Sequence, residues 1–340
     1  MRQPISAEEK LAVTLRFLAT GETYQSLKYQ FRIHNSTISL FVPKVCQVIY
    51  DVLKDDYFSV PSSEQEWINL ADATEKRWQF PNAFAAADGK HIAVYHPDNS
   101  GGTFYNYKGF YSIVLLAFVD YDYKFIYADV GCQGRISDGG VYRNSSFAEK
   151  LSALELNLPP ARPLPRSKNP AWTPYENEED IPFVFVADSA FSLSKHCMKP
   201  YPEKGCDDKR RIFNYRLSRL RRVTENAFGI LTAVFRIFST KINVNPDKAT
   251  KIVKAALVLH NMLRSKSPES YTPAGFADEV VDDNVIDGRW REGNTGSFLE
   301  PLPARLKGNK PKVSAEKIRE IFAEHFYGPG EVPWQWKCLV

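Results

Sequence analysis

The sequence predicts an α/β protein led by a small all-helical unit, and three observations carry that reading. Tyr111–Val119 and Ile181–Val186 are short, nearly unbroken apolar runs rich in β-branched and aromatic residues, the pattern of strands buried on both faces. Phe84–Ala87, Ile92–Tyr95 and Phe125–Val130 add extended segments, with a hairpin turn at Asp120–Asp122, so that consecutive strands read as an antiparallel meander. From Ser6 to about Leu53, by contrast, apolar residues recur at helical spacing.

The chain has 340 residues, 44% of them hydrophobic and 25% charged, an ordinary balance for a globular protein with room for more than one domain. No apolar run approaches the roughly 18 residues of a membrane helix, and MRQPISAEEK holds no apolar signal core. Five scattered cysteines argue against a disulfide framework and for a reducing compartment. The net charge is only +4, but its distribution is uneven. Lys195–Lys254 holds 15 Lys and Arg against 5 Asp and Glu, whereas Asp278–Glu300 holds 2 against 7. The first block suits a polyanion and the second a solvated segment; an exposed helix face with screened charges is the plainer reading of the first.

In chain order, Ser6 with Glu9 forms a capping box before Leu11, Leu15 and Leu18, and Gly21 ends that helix. Thr23 caps a second helix with Tyr24, Leu27 and Phe31 inward. Asn35 or Ser36 caps a third, longer one, with Pro43 about two turns in. Two short helices, a turn and a longer helix opening on small polar residues fit a helix-turn-helix, with Asn35, Ser36, Thr37 and Ser39 facing the DNA major groove. A helical bundle that docks on the next domain without touching DNA fits the same spacing. Pro61-Ser62-Ser63 caps a helix carrying Trp67, Ile68 and Leu70, and the meander follows. Gly139 through Phe147 to Leu151 reads as a helix, and Leu156–Asp180 as an irregular Pro-rich insertion. After the Ile181–Val186 strand come helices over Ile212–Leu231 and Ala249–Leu263, a flexible Pro/Gly/acid-rich stretch over Tyr271–Gly308, and an amphipathic helix over Lys312–Phe326. The expected domains are 1–56, a helical linker 57–82, an α/β domain 83–265 with insertion 156–180, and an acidic flexible segment with a C-terminal helix over 266–340.

Gly101–Tyr105 has neither Walker nor Rossmann spacing, no GxSxG elbow exists, and His196, Cys197 and Cys206 depart from zinc-ligand spacings. Three acids stand out: Asp88 just past a strand, Asp188 ending another, and Glu225 within a basic helix. Carboxylates from separate elements suit hard divalent cations such as Mg²⁺. Each also has a plainer role: Asp188 as a turn cap, and Glu225 as an intrahelical partner of Arg221 or Arg222 worth about 0.2–0.5 kcal/mol. Asp120, Asp122, Asp129 and Asp138 are further carboxylates, so spacing alone does not select the trio.

Four stretches resemble PIF/Harbinger-type DDE transposases along nearly the whole chain. They are AADGKHIAV, the long block YNYKGFYSIVLLAFVDYDYKFIYADVGCQGRISDGGVYRNSSF, FVFVADSAF and FNYRLSRLRRVTENAFGIL. The family's DDE triad falls on Asp88, Asp188 and Glu225, which are 100 and 37 residues apart. The resemblance implies an RNase H-like fold, a mixed five-stranded sheet with flanking helices. It also implies metal-dependent phosphodiester hydrolysis at transposon ends and strand transfer of the 3′-hydroxyl into target DNA, with two Mg²⁺ ions (or Mn²⁺) on Asp88, Asp188 and Glu225. Asp138 of ISDGG takes a supporting place. DNA contacts fall on Lys108, Arg135, Arg216, Arg219, Arg221 and Arg222 besides the helix-turn-helix residues. A Myb-like accessory protein, a homodimer or larger assembly and a nuclear location follow from the same likeness, with no membrane role. The chain starts almost at the helix-turn-helix, where relatives often carry a further segment, while VPWQWK resembles the family's ending. The alternative is a domesticated, non-cutting nuclear protein that binds DNA or a partner on the same scaffold.

Overall fold

A computed structural model describes residues 4–96, 100–136, 138–165, 179–281, 284–292, 299–301 and 313–339. Four helices come first: α1 (Ala7–Thr20), α2 (Tyr24–Phe31), α3 (Asn35–Tyr57) and α4 (Glu64–Trp78). Ser6 Oγ accepts from the Glu9 amide at 3.1 Å and Thr23 Oγ1 from Ser26 at 3.2 Å, as helix caps should. The third helix is capped by His34, one residue before the expected Asn35. Gly21 closes α1 at φ 68°, and a Cβ there would stand 2.6 Å from the Arg236 carbonyl oxygen, so only glycine lets α1 meet the turn Arg236–Ser239 this closely.

The sheet follows: β1 (Ala83–Ala93), β2 (Ser112–Val119) and β3 (Phe125–Gln133), then short helices α5 (Asp138–Arg143) and α6 (Ser146–Ser152), then β4 (Val184–Val186) and β5 (Cys197–Met198). One helix was expected over 139–151; Ser145 divides it, its Oγ accepting from Ala148 at 3.2 Å to start α6 afresh. Helices α7 (Asp208–Val234), α8 (Pro246–Lys266) and α9 (Pro268–Tyr271) come next. A hairpin of β6 (Glu279–Val281) and β7 (Asn284–Ile286), strand β8 (Leu299–Pro301) and α10 (Val313–Tyr327) complete the elements.

The strand order is β3-β2-β1-β4-β5, with β1–β2–β3 antiparallel and β4 and β5 parallel to β1 and β4, the mixed five-stranded sheet that the family resemblance implies. The sixth strand, β8, was not anticipated: it pairs antiparallel with the far half of β1, Lys90–Ile92 against Leu299–Pro301. Because β4 pairs only with Ala83–Ala86, the edge of β1 opens between the two partners, around Asp88.

Helices cover both faces. All eight residues of β2 are buried, and they alternate. Val114, Leu116 and Phe118 point to a core with Trp67, Phe84, Phe147 and Phe185, beneath α4 and α6. Ile113, Leu115, Ala117 and Val119 point to the larger core shared with α7, α8, α10 and the N-terminal helices. Although no unbroken apolar run marks it, α3 is long and apolar enough to cross a bilayer; here it lies along α8 with its inner face buried. Most of the Pro-rich insertion, 166–178, lies outside the described residues.

Candidate active site

Strand periodicity decides where the two aspartates point. On β4, Val184 and Val186 face the α7 side while Phe183, Phe185 and Ala187 face the other, so Asp188 continues the α7-facing set. On β1, Ala86 and Ile92 face α7, and Asp88 and Lys90 fall in phase with them. Ala86 pairs with Val186, so each aspartate lies two residues past a matched pair of parallel neighbours. The acids therefore emerge side by side at the carboxyl end of β4, where β1 has lost its partner.

Asp88 is buried; its Oδ1 accepts from the Gly89 amide at 2.9 Å, and its Oδ2 meets Lys90 Nζ at 2.8 Å. Asp188 is partly buried, and its Oδ1 accepts from the Ala190 amide at 2.9 Å, so it does cap the turn that follows. Burial first, and then the neighbouring Asp88 charge, push the Asp188 carboxyl above its ordinary range, against the pull of Arg221 and Lys90. Lys90 Nζ also lies 5.4 Å from the centre of the Phe228 ring of α7, which ties the pair of acids to that helix.

Glu225 is placed differently. It lies on α7 one turn beyond Arg221, its side chain is 44% exposed, and its partner is neither Arg221 nor Arg222 but Arg291, at 3.4 Å. Among the described residues no three His, Cys, Asp or Glu side chains gather as a metal site. Two neighbouring like charges, one buried and one partly buried, each with one oxygen held by a backbone amide, suit a hard oxygen-seeking cation. Asp88 and Asp188 thus fit a divalent ion as a pair, and Glu225 is not drawn in beside them.

The segment that holds Arg291 was expected to be solvated and flexible, and in its described part it is a clasp on α7. The Asp278 side chain is only 1% exposed, accepting from Arg291 at 2.6 Å, Arg222 at 2.8 Å and the Gly288 amide at 2.9 Å. Burial works against the Asp278 anion, but these donors win and hold its carboxyl below the usual range. Asn226 Oδ1 accepts from the Asp278 amide at 2.7 Å and from Trp290 Nε1 at 2.9 Å. The indole lies on Gly229, where a Cβ would stand 2.2 Å from it. The ENAFG stretch therefore carries an anchor, Asn226, and a seat, Gly229, beside Glu225. The acidic block thus neutralises part of the basic one within the chain.

This corrects the basic surface. Arg216 and Arg219 are buried, not turned toward a polyanion. Arg216 donates to the Gly330 carbonyl at 3.1 Å, to Gln335 Oε1 at 2.9 Å and to the Gln79 carbonyl, and burial, then Arg219, push it down to about 9. Arg219 lies 3.8 Å above the Trp334 ring. The cause is that α10 and the turn Pro333–Leu339 cover that face of α7. Arg222 is taken by Asp278, which leaves Arg221 as the arginine of the four whose charge acts on Asp188. Lys108 and Arg135 are exposed. Asp138 opens α5, and its side chain lies outside the described ones. At the start of α3, Ser36 is exposed, while Asn35, Thr37 and Ser39 are partly covered.

Reading acids alone missed Lys90, Asn226, Asp278 and Arg291. Lys90 was visible in principle, standing two residues from Asp88 on the same strand face; the clasp was not, since its partners on α7 lie 52 to 66 residues away.

A pair of aspartates at a strand end, facing α7 on a mixed sheet, is an arrangement that can hold a divalent ion, as the endonuclease domains of one superfamily do. The chain belongs to the DDE superfamily endonuclease family, whose description matches residues 87–261, and its fold has the layout of an RNase H-like DDE domain. Among curated relatives it is 26% identical over 287 residues to an ALP1-like protein of Arabidopsis thaliana, covering 83% of this chain and 64% of that one. It is 23% identical over 313 residues to the Arabidopsis thaliana protein named Antagonist of Like Heterochromatin Protein 1, covering 89% and 72%. It is 22% identical over 263 residues to HARBI1 of Rattus norvegicus, whose name makes it a candidate nuclease, covering 76% and 67%. The chain thus spans less than two thirds of the length of the first of these. No solved structure matches it.

Proposed function

We propose that the chain is a PIF/Harbinger-type nuclease that hydrolyses phosphodiesters at transposon ends and joins the freed 3′-hydroxyl to target DNA. The observation that carries this is the in-phase emergence of Asp88 and Asp188 from neighbouring parallel strands onto the α7 face. These two acids, with Glu225 as the third ligand, are the residues to hold Mg²⁺ or Mn²⁺. A bound divalent ion supplies Lewis acidity toward the scissile phosphate. Arg221 lies beside Asp188 to attract the strand, and exposed Lys108 and Arg135 extend the charged surface. Helices α1–α3 act as the helix-turn-helix, with the start of α3, where Ser36 is exposed and Asn35, Thr37 and Ser39 partly so, reading DNA. Pairing of two ends calls for a homodimer or larger assembly, with a Myb-like accessory protein and a nuclear location. The test is cleavage of element-end DNA with Mg²⁺ or Mn²⁺ by the wild type and Asp188→Asn: activity must vanish in the variant, and equal activity removes the metal role.

A second reading is a non-cutting chromatin or DNA-binding protein on the same scaffold. It is favoured by the commitment of Glu225 to Arg291 and by the name of one Arabidopsis relative, an antagonist of a heterochromatin protein. Wild-type protein that binds DNA but ignores divalent ions decides for it.

A further inference from the structure

Asp88 and Lys90 stand two apart on one strand, so their side chains share a face, and the intervening Gly89 leaves nothing on the opposite face to compete. Three contacts locate the Lys90 ammonium. It meets Asp88 Oδ2 at 2.8 Å, it lies over Phe228 of α7, and its side chain is only 15% exposed. Its backbone is held from both sides, by Leu115 of β2 and Pro301 of β8, which leaves the side chain as the mobile part. The Gly89 amide already takes Oδ1 of Asp88, so Oδ2 is the oxygen that Asp88 offers to a cation, and Lys90 occupies it.

We propose that Lys90 is a built-in placeholder, a counter-cation that keeps the two aspartates paired in the absence of metal and is displaced from Asp88 when a divalent ion binds. This rests on the metal-binding role of Asp88 and Asp188 above and adds a positioning residue to it. The physical logic is competition. One ammonium and one divalent ion cannot both lie within contact distance of the same carboxylate oxygen without strong like-charge repulsion. The lysine stem is long and flexible enough for the ammonium to withdraw from Asp88 Oδ2 while the Lys90 backbone stays paired in the sheet. Binding of the ion and the Asp88–Lys90 ion pair are then linked, each weakening the other.

Two measurements test this without reference to catalysis. In the first, Mn²⁺ is titrated calorimetrically into the wild type and Lys90→Gln. The variant has no ammonium to displace and is expected to bind about tenfold more tightly, within the usual range of coupling between sites. In the second, the wild type is labelled with an amine-acetylating reagent with and without Mn²⁺, and Lys90 is followed by mass spectrometry. Its labelling is expected to rise with Mn²⁺, and to be high without Mn²⁺ in Asp88→Asn. Unchanged or weaker Mn²⁺ binding by Lys90→Gln overturns the proposal while the metal site stands. If that variant does not fold, constant Lys90 labelling in the wild type overturns it alone. Failure of the wild type to bind Mn²⁺ at all overturns both the placeholder and the nuclease reading.

Discussion

Replacing Asp188 by asparagine separates what the site does for stability from what it does for chemistry. Asn keeps the Oδ1 that caps Ala190, so the turn survives. What is lost is a negative charge one strand away from Asp88. Neighbouring strands lie roughly 5 Å apart, and two like charges at that distance repel by about 3 kcal/mol at an effective dielectric of 20. Burial of the carboxylate, the larger cause, adds to this, while Arg221, the Ala190 amide and Lys90 offset much of the total, leaving a net cost of about 1 kcal/mol in the metal-free protein, a size typical of single substitutions. Asp188→Asn should therefore raise the melting temperature in EDTA by about 1–2 °C at neutral pH. The pH dependence has a definite sign. A carboxyl whose folded pKa is raised binds its proton more readily folded than unfolded, so its cost to stability is absent below the unfolded value, grows as pH rises from there, and is complete above the folded pKa. The advantage of the variant should accordingly be full at pH 7 and vanish near pH 3.5–4, the ordinary Asp range. Thermal melts in EDTA across that span make the measurement. A variant less stable than the wild type at pH 7, or a difference that does not change with pH, refutes the reasoning that burial and the neighbouring Asp88 make the Asp188 charge costly to the metal-free fold.

Two further outcomes follow from the same geometry. Gly229→Ala places a Cβ 2.2 Å from the Trp290 ring, so it should lower stability by about 1–2 kcal/mol, although alanine favours a helix by about 1 kcal/mol, and Trp fluorescence should shift red; a stabilised variant contradicts the clasp. Asp120 is buried in the β2–β3 turn, where burial pushes its carboxyl up to about 6, so it costs the native state up to about 3 kcal/mol as pH rises from about 4 to 6. Asp120→Asn keeps an acceptor for the Asp122 and Lys124 amides, so chemical denaturation should show less loss of stability over that pH window than in the wild type.

Alternation and apolar runs reveal what depends on neighbours in sequence. Ile113–Val119 alternates between two cores, which is why the strands were legible from residues alone; Asp88 and Asp188 stood out at strand ends, but only the family resemblance set them apart from Asp120, Asp122, Asp129 and Asp138. Charge was less legible because its meaning depends on distant cover. Arg216 and Arg219 look like a basic stripe until α10 and the last turn lie on them. Asp278 looks solvated until Arg222 and Arg291 close on it. Strand β8 is three residues long and has no periodicity to read, yet it bounds the gap at Asp88.

The most direct test of the proposed metal site is a crystal soaked in Mn²⁺ and measured at the manganese absorption edge. An anomalous peak is expected within coordination reach of Asp88 and Asp188, with Glu225 turned from Arg291 toward it. A peak elsewhere, or none at saturating Mn²⁺, contradicts that site.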